Sequence, residues 1–534
     1  MKKNNIICRL FVISIVFLGI GCTNLDETLY DKISAEDTQL KAEDLTNIMA
    51  PAYASFRTVY WGWNGLFDLY EESSDLIVTP FRIGIGWGDL YITMHKHTWG
   101  PDLGHAEGNW YYLYTAVNEC NRALYQVENL DGLEASVQKS SVQELKALRA
   151  IYYYLLYDNF RNIPIVTDFV TPVGFLPTQS TSQETYNFIE NELLTALPSL
   201  SEDNNSKTYG RVTKWAAKMT LAKLYLNSGV YLNTPKWDKA LEQVNDIISS
   251  NKFELTANYS DSFKIKNEGS SEEILSIPYD EKYAGGSYYP FKTLHPASQA
   301  TFNMAGSPWG GSAAIPQFID TYDVDDVRLK DTWLGGLQYD SSGNPLMFNN
   351  IQLNYTNYMS EVDGTVYNEG YRCIKYEIGS GTASSLSNDV PFYRLTDALM
   401  IKAECLLRMG DVAGAATIVS QVRARSFKTN PIKATVTGAK LLGGSVYKYG
   451  EYSYGNITKF EGGADILYGG FLDELAWEFV GEHHRKQDLI RFGVYTTKSW
   501  FSHKPNGDYR KIFPIPQSIM ETNSKLKQNT GYGS

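Results

Sequence analysis

Two stretches hold the residues whose types could do chemistry. From Trp61 to Pro101 the chain places Trp61, Trp63, Trp87 and Trp99 among glycines, with Asp75, Thr79, Arg82 and Asp89 between them. A second stretch, from Tyr259 to about Tyr376, carries Tyr283, Tyr288, Tyr289 and Trp309 beside the pairs Gly285-Gly286 and Gly310-Gly311. An aromatic face packs against apolar C–H groups, while carboxylates, guanidinium groups and hydroxyls supply hydrogen bonds. A site for sugar rings needs both. Trp87 and Trp309 are the expected stacking platforms and Asp75 and Arg82 the expected hydroxyl partners. Asp89, Tyr288 and Tyr289 complete the candidate ligand-binding set, with Tyr371 and Arg372 as further candidates. Each tryptophan could equally be the local core of its own loop.

Other chemistries have thinner support. Glu71-Glu72 and Asp75 lie in the first aromatic stretch, and a glycoside hydrolase needs two carboxylates across the scissile bond. Nothing in the sequence marks a raised acid opposite a second carboxylate. Glu482-His483-His484 lacks the HExxH spacing, and adjacent residues point in different directions, so no metal site is expected there. The run Asp323-Val324-Asp325-Asp326 clusters carboxylates of the kind calcium favours. Cys120, Cys373 and Cys405 form no CxxC pair and are odd in number, which indicates neither a disulfide framework nor zinc. No cofactor is implied.

The elements that must position these residues are helical. Leu145, Leu148, Tyr152, Leu155 and Leu156 recur at three- and four-residue steps, which predicts a helix from about Val142 to Phe160. Ser141 and Glu144 fit a capping box, and Pro164 forces a stop. Similar patterns run over about 42–59, 109–127, 181–197, 212–228, 236–250, 392–409, 412–427 and 472–491, with a second capping box at Thr181 and Glu184. Paired amphipathic helices with short links read as a solenoid of helix–turn–helix units, although the tetratricopeptide consensus is not matched cleanly. The fold class is therefore mainly α: a tetratricopeptide-like scaffold interlocked with loop-rich insertions at about 61–101, 259–376 and 438–470 that carry few short strands. Length alone would suggest several domains. Scaffold helices flank every insertion, however, so a single domain over 41–534 is expected.

The formal charge of −12 and the absence of a basic cluster argue against nucleic acid and against a broad anionic membrane surface as partner. Lys2, Lys3 and Arg9 precede an apolar run from Leu10 to Ile20, too short for a membrane span, which reads as a signal peptide over 1–21. It ends in Leu18-Gly19-Ile20-Gly21-Cys22, which resembles a bacterial lipoprotein cleavage site with Gly19 where leucine is usual. Cys22 would become the lipidated first residue, and residues 22–40 a tether.

Four motifs in order resemble the SusD/RagB family of outer-membrane nutrient-binding lipoproteins. They are Leu148-Arg149-Ala150 running on to Pro164, then Tyr393-Arg394-Leu395 with Asp397, Glu404 and Gly410-Asp411. Next come Glu478, Glu482, Arg485, Asp488-Leu489, Arg491 and Gly493, and finally Phe513-Pro514-Ile515-Pro516 with Gln528-Asn529. The third motif, spaced by threes, reads as one charged ladder on a helix. The resemblance implies binding rather than catalysis. It implies capture of oligosaccharide or polysaccharide at the cell surface, and delivery to a SusC-like TonB-dependent transporter on which the protein acts as a lid. It implies localisation in the outer membrane through the lipid anchor alone. It places Asp75, Arg82, Trp87 and Asp89 in a ligand-facing loop, with Trp87-Gly88-Asp89 departing from the family's order, and gives the Asp326–Arg328 element a helix-capping or ion-pair role. The alternatives are a helical docking scaffold or a receptor for a non-glycan nutrient such as peptide, and less readily a glycoside hydrolase.

Overall fold

The computed structural model describes residues 40–61 and 64–533. The leader, Cys22, the tether up to residue 39 and Trp63 lie outside the described residues. Ten helices build the scaffold: α1 (Leu45–Trp61), α2 (Gly104–Glu128), α3 (Ala135–Phe160), α4 (Ser182–Ala196), α5 (Lys214–Leu226), α6 (Trp237–Ser249), α7 (Leu395–Met409), α8 (Val412–Arg423), α9 (Gly469–Phe479) and α10 (Arg485–Arg491). Each of the first eight packs on its neighbour in sequence, and α6 meets α7 across the whole second insertion. This is the layered order of a solenoid. One hydrophobic cluster runs through it from Ile48 to Leu526.

The α3 helix explains why the scaffold holds. Tyr152, Tyr153, Tyr154 and Tyr157 are all buried, and each hydroxyl finds a partner. Tyr152 donates to the Ala52 carbonyl of α1 at 2.7 Å, and Tyr153 to the Val166 carbonyl at 2.9 Å. Gln487 of α10 donates to the Tyr154 hydroxyl at 2.9 Å, and the Tyr157 and Ser182 hydroxyls meet at 2.7 Å. Arg149 pairs with Glu192 of α4 at 2.9 Å and donates to Asn121 of α2 at 2.8 Å, tying three helices together. The helix stops at Phe160 as Pro164 requires, but it starts seven residues before the expected Val142. Ser141 is therefore internal and makes no cap, and Glu144 instead holds Arg211 at 2.7 Å. The Thr181–Glu184 box is present, with the hydroxyl accepting from the Glu184 N–H and the carboxylate from the Thr181 N–H.

Two helical readings need correction. Phe392–Arg394 does not open α7; it belongs to a strand, Val390–Arg394, paired antiparallel with Glu273–Ile277. That pair closes the neck of the second insertion. The span 472–491 is not one helix, because the chain turns through left-handed geometry at Gly481 (φ 77°) and His483 (φ 57°) between α9 and α10. The interruption frees Glu482 to reach Lys375 at 2.5 Å and Arg394 at 2.7 Å. His483 stacks on Phe392 and His484 on Phe479, with ring centroids 4.5 and 4.3 Å apart, and His484 meets Asp397 at 2.9 Å. The Glu-His-His run is thus structural.

Around this break lies a buried ionic lattice. Arg328, Lys375, Arg394, Arg423 and Arg425 meet Glu272, Asp326, Glu474, Glu478 and Glu482. It joins the neck strands, α8, α9 and the short helix Val327–Thr332. Asp326 caps that helix by accepting from the Arg328 N–H at 3.0 Å and pairs with its guanidinium at 2.7 Å, while Lys433 bridges Asp323 and Asp325. The acidic run is a cap and ion-pair element. Among the described residues no group of three or more His, Cys, Asp or Glu is placed to hold a metal ion. Cys120, Cys373 and Cys405 are buried free thiols.

The C-terminal segment returns to the first half of the chain. The Asn529 amide donates to the carbonyls of Phe160 at 2.9 Å and Phe513 at 2.8 Å, and the Trp99 indole donates to the Tyr532 hydroxyl at 2.7 Å. No described helix is long and apolar enough to cross a membrane.

Candidate functional site

The first insertion is more ordered than its lost periodicity suggests. It contains the short helices Leu66–Glu71 and Asp89–His95, and a strand, Ile77–Val78, paired with Ala313–Ala314 of the second insertion. Every residue of Leu66–Glu71 is buried, so no amphipathic stripe was there to read. Between these elements Arg82 and Gly86 exchange backbone hydrogen bonds of 2.8 Å, a tight turn made possible by Gly84 and Gly86 at positive φ. The turn is stitched to the second insertion, since Ile83 N–H donates to Thr365 and Thr365 N–H to Phe81, both at 2.9 Å.

Trp87 follows that turn at φ 74°, a conformation that bulky residues rarely hold without surrounding constraint. The constraint comes from the second insertion. The Trp87 indole N–H donates to the Trp309 carbonyl at 3.1 Å. Gly311 lets the ring lie flat against the backbone, because a Cβ there would sit 2.5 Å from the indole and 2.9 Å from the Lys292 carbonyl. Trp309 is held by its own N–H to Phe291 at 2.6 Å, remains 36% exposed, and faces the Tyr288 ring at 5.7 Å. Trp87, Trp309 and Tyr288 thus form one aromatic face from two insertions. Phe81, Ile83 and Leu90 add exposed apolar surface from the same turn region, and Asp89 is exposed at the start of its helix.

The remaining expected site residues are placed elsewhere. Asp75 is fully buried and its carboxylate is taken by Arg485 at 2.7 and 2.8 Å and by the Tyr449 hydroxyl at 2.7 Å, so it offers nothing to a ligand. Arg82 is also fully buried. Its guanidinium donates to the carbonyls of Gly311 at 2.8 Å and of Val366 and Glu369 at 3.0 Å, fastening three loop segments behind Trp87. Burial, with Arg372 nearby, holds its pKa well below the usual value. Tyr289 is buried between Trp61 and Phe67. Tyr371 lies against Gly335, and Arg372 is buried and donates to Ser312 and Tyr367 carbonyls. Asp75 and Arg82 face inward because their charges are needed to cross-link loops that have too little regular structure to hold themselves.

Beneath the aromatic face lies a polar network of which the sequence singled out only Thr79 and Glu72. The Lys292 ammonium bridges Asp68 and Glu72 at 2.7 Å each and sits 4.0 Å from the Tyr91 ring centre. Thr79 and Ser312 hydroxyls both donate to Glu72 at 2.7 Å, and the Tyr91 hydroxyl to Asp68 at 2.9 Å. Burial alone would lift the Asp68 carboxyl, but Lys292 and His105 outweigh it and hold it low. For Glu71 burial outweighs Lys375 and the backbone N–H groups of Gly481 and His483, and pushes its carboxyl up to about 8. Glu71, Glu72 and Asp75 are all fully buried, so none of the three presents itself to a substrate. The crevice lined by Tyr91, Tyr288, Tyr289 and Lys292 measures only about 10 Å³, too little for a sugar ring. What the site offers is an open aromatic face on a rigid polar base.

Comparison with known proteins agrees with this architecture. A model described as "SusD family" matches residues 233–532, and one described as "Starch-binding associating with outer membrane" matches residues 84–226. The starch-binding protein SusD of Bacteroides thetaiotaomicron is 25% identical over 488 residues, covering 82% of this chain and 80% of that protein. Surface glycan-binding protein A of Bacteroides thetaiotaomicron, solved with laminarihexaose, superposes with a TM-score of 0.71 at 20% identity, covering 92% of this chain and 99% of that one. A SusD superfamily protein from Parabacteroides distasonis gives the same TM-score at 19% identity, over 94% of this chain and all of the other. With more than half its length matched by one family model, and with the helical order and four motifs in place, this chain belongs to the SusD family.

Proposed function

We propose that the protein is a cell-surface glycan-binding lipoprotein that captures oligosaccharides and delivers them to a SusC-like TonB-dependent outer-membrane transporter. The observation that carries this reading is the union of Trp87 and Trp309, 222 residues apart in two different insertions, on one partly exposed face. Trp87 and Trp309 stack on sugar rings, Tyr288 extends the platform, and Asp89 supplies a hydroxyl partner at its edge. Arg82, Asp75 and Tyr289 act as positioning residues behind it. The names of the relatives, which speak of starch, surface glycans and laminarihexaose, support the ligand class. Cys22 anchors the chain by lipid to the outer membrane, and binding proceeds without turnover.

The test is affinity electrophoresis of the soluble form lacking residues 1–22 against a panel of polysaccharides that includes starch and laminarin. One glycan should retard the protein, and Trp87→Ala or Trp309→Ala should each weaken that binding by about tenfold, the equivalent of roughly 1.4 kcal/mol. Sugar released from the polymer would reveal a hydrolase. A stable barrel complex without retardation by any glycan would leave a docking scaffold or a receptor for another nutrient.

A further inference from the structure

The aromatic face does not end at Trp309. The next residue, Gly310, donates its N–H to the Leu294 carbonyl at 2.8 Å, and a Cβ on it would lie 3.5 Å from Pro296. Between Leu294 and Pro296 stands His295, buried, with the Phe348 ring centre 4.5 Å and the Tyr367 ring centre 5.5 Å from its own. Phe348 and Tyr367 meet edge to face at 4.7 Å, and both stay partly exposed. We infer that this pair is a second stacking subsite, so that the protein grips several consecutive sugars of one glycan chain. The inference rests on the glycan reading of Trp87 and Trp309 and extends that site.

A tight hairpin shapes the subsite. Asn349 and Asn350, at φ 50° and 61°, turn the chain between the paired strands Met347–Phe348 and Ile351–Gln352. Phe348 stands opposite Ile351, which puts both side chains on one face of the hairpin. Leu346 and Leu353, two positions further in on that face, are buried in the small cluster against which Tyr367 packs. The hairpin is thus anchored at its base and open at its tip, where Ile351 is 64% exposed. The exposed amides of Asn349 and Asn350 supply hydrogen bonds for sugar hydroxyls.

Two buried arginines fix the register between the two subsites. Arg82 donates to the Gly311 carbonyl at 2.8 Å and to the Val366 carbonyl at 3.0 Å. Arg372 repeats the bridge one residue further on, with Ser312 at 3.2 Å and Tyr367 at 2.6 Å. Each guanidinium therefore ties the segment leaving Trp309 to the loop that presents Tyr367. Ser312 is three residues past Trp309, a span of at most roughly 10 Å, so one short oligosaccharide reaches both ring groups. Ile83 donates its N–H to Thr365, the residue before Val366, at 2.9 Å, and Ile83 and Val366 add exposed apolar surface at the junction. Burying two charges against carbonyls of an exposed loop is costly. It holds that loop in one conformation, which spares an arriving chain the entropy of ordering it.

The experiment is isothermal titration calorimetry of the full-length protein with maltotriose and maltohexaose, and with laminaritriose and laminarihexaose. In the series that binds, the hexasaccharide should bind about tenfold more tightly than the trisaccharide. Phe348→Ala and Tyr367→Leu should each weaken the hexasaccharide about fivefold and leave the trisaccharide unchanged. The leucine keeps the apolar packing and removes only the ring. Trp309→Ala should weaken both lengths. Equal affinity for the two lengths, an unchanged hexasaccharide affinity in both variants, or an equal loss at both lengths would overturn the inference, while the Trp309→Ala response would still uphold the glycan reading. Binding of neither hexasaccharide would overturn the inference together with that reading.

Discussion

Burial holds single residues in this protein in unusual states. His95 and His97 are fully buried, and burial lowers them to about 4 and about 3 respectively. Each donates its Nε2–H to a backbone carbonyl, His95 to that of Phe501 and His97 to that of Ser73, and His503 packs beside them. An unfolded chain takes up these protons near pH 6.5. The stability carried by the neutral imidazoles is therefore present above about 6.5 and is lost progressively as pH falls toward the folded values. His97 sits at φ 51°, a geometry asparagine tolerates. Thermal unfolding followed from pH 7 to pH 4 should show a shallower fall in melting temperature for His97→Asn than for the wild type. Parallel curves would show that this histidine does not set the acid response.

At the scale of elements, the lattice around α9 does the work that a continuous helix would otherwise do. Glu478 meets Arg328, Arg394 and Arg425 at 3.2, 3.0 and 2.6 Å. Burial would raise its carboxyl, but the three guanidinium groups hold it below the usual range. Removing it leaves buried positive charge short of a partner, so Glu478→Ala should cost about 3–5 kcal/mol in urea unfolding. A loss within 1 kcal/mol would mean that the remaining carboxylates suffice. The same lattice explains where the sequence misled. Spacing by threes at Glu482, Arg485, Asp488 and Arg491 reads as a helical ladder, and only Asp488 and Arg491 pair in that way, at 2.7 Å. Glu482 and Arg485 are drawn outward to Arg394 and to Asp75. Local spacing cannot report such long-range partners. The helices with one apolar stripe were legible, because a half-buried helix shows its period. The short elements of the insertions were not, because burial on all sides erases it.

For the whole molecule, one cluster of buried residues from Ile48 to Leu526 and a neck that returns the second insertion to the scaffold predict cooperative unfolding despite the chain's length. Calorimetric and van't Hoff enthalpies of the described span should agree within about 10–20% in a single transition, and two resolved transitions would show separable units. The mainly helical scaffold and the aromatic face were readable from composition, periodicity and the placing of tryptophans among glycines. Asp75 and Arg82 were misplaced because a charge in a loop looks the same in sequence whether it meets a ligand or a distant partner such as Arg485. The contacts of Asn529 with Phe160 and of Tyr532 with Trp99 carry one more consequence. Partners lying 369 and 433 positions further along the chain complete the packing of Phe160 and Trp99, so whatever loosens the segment around Asn529 and Tyr532 also loosens the end of α3, however far apart the two lie in sequence.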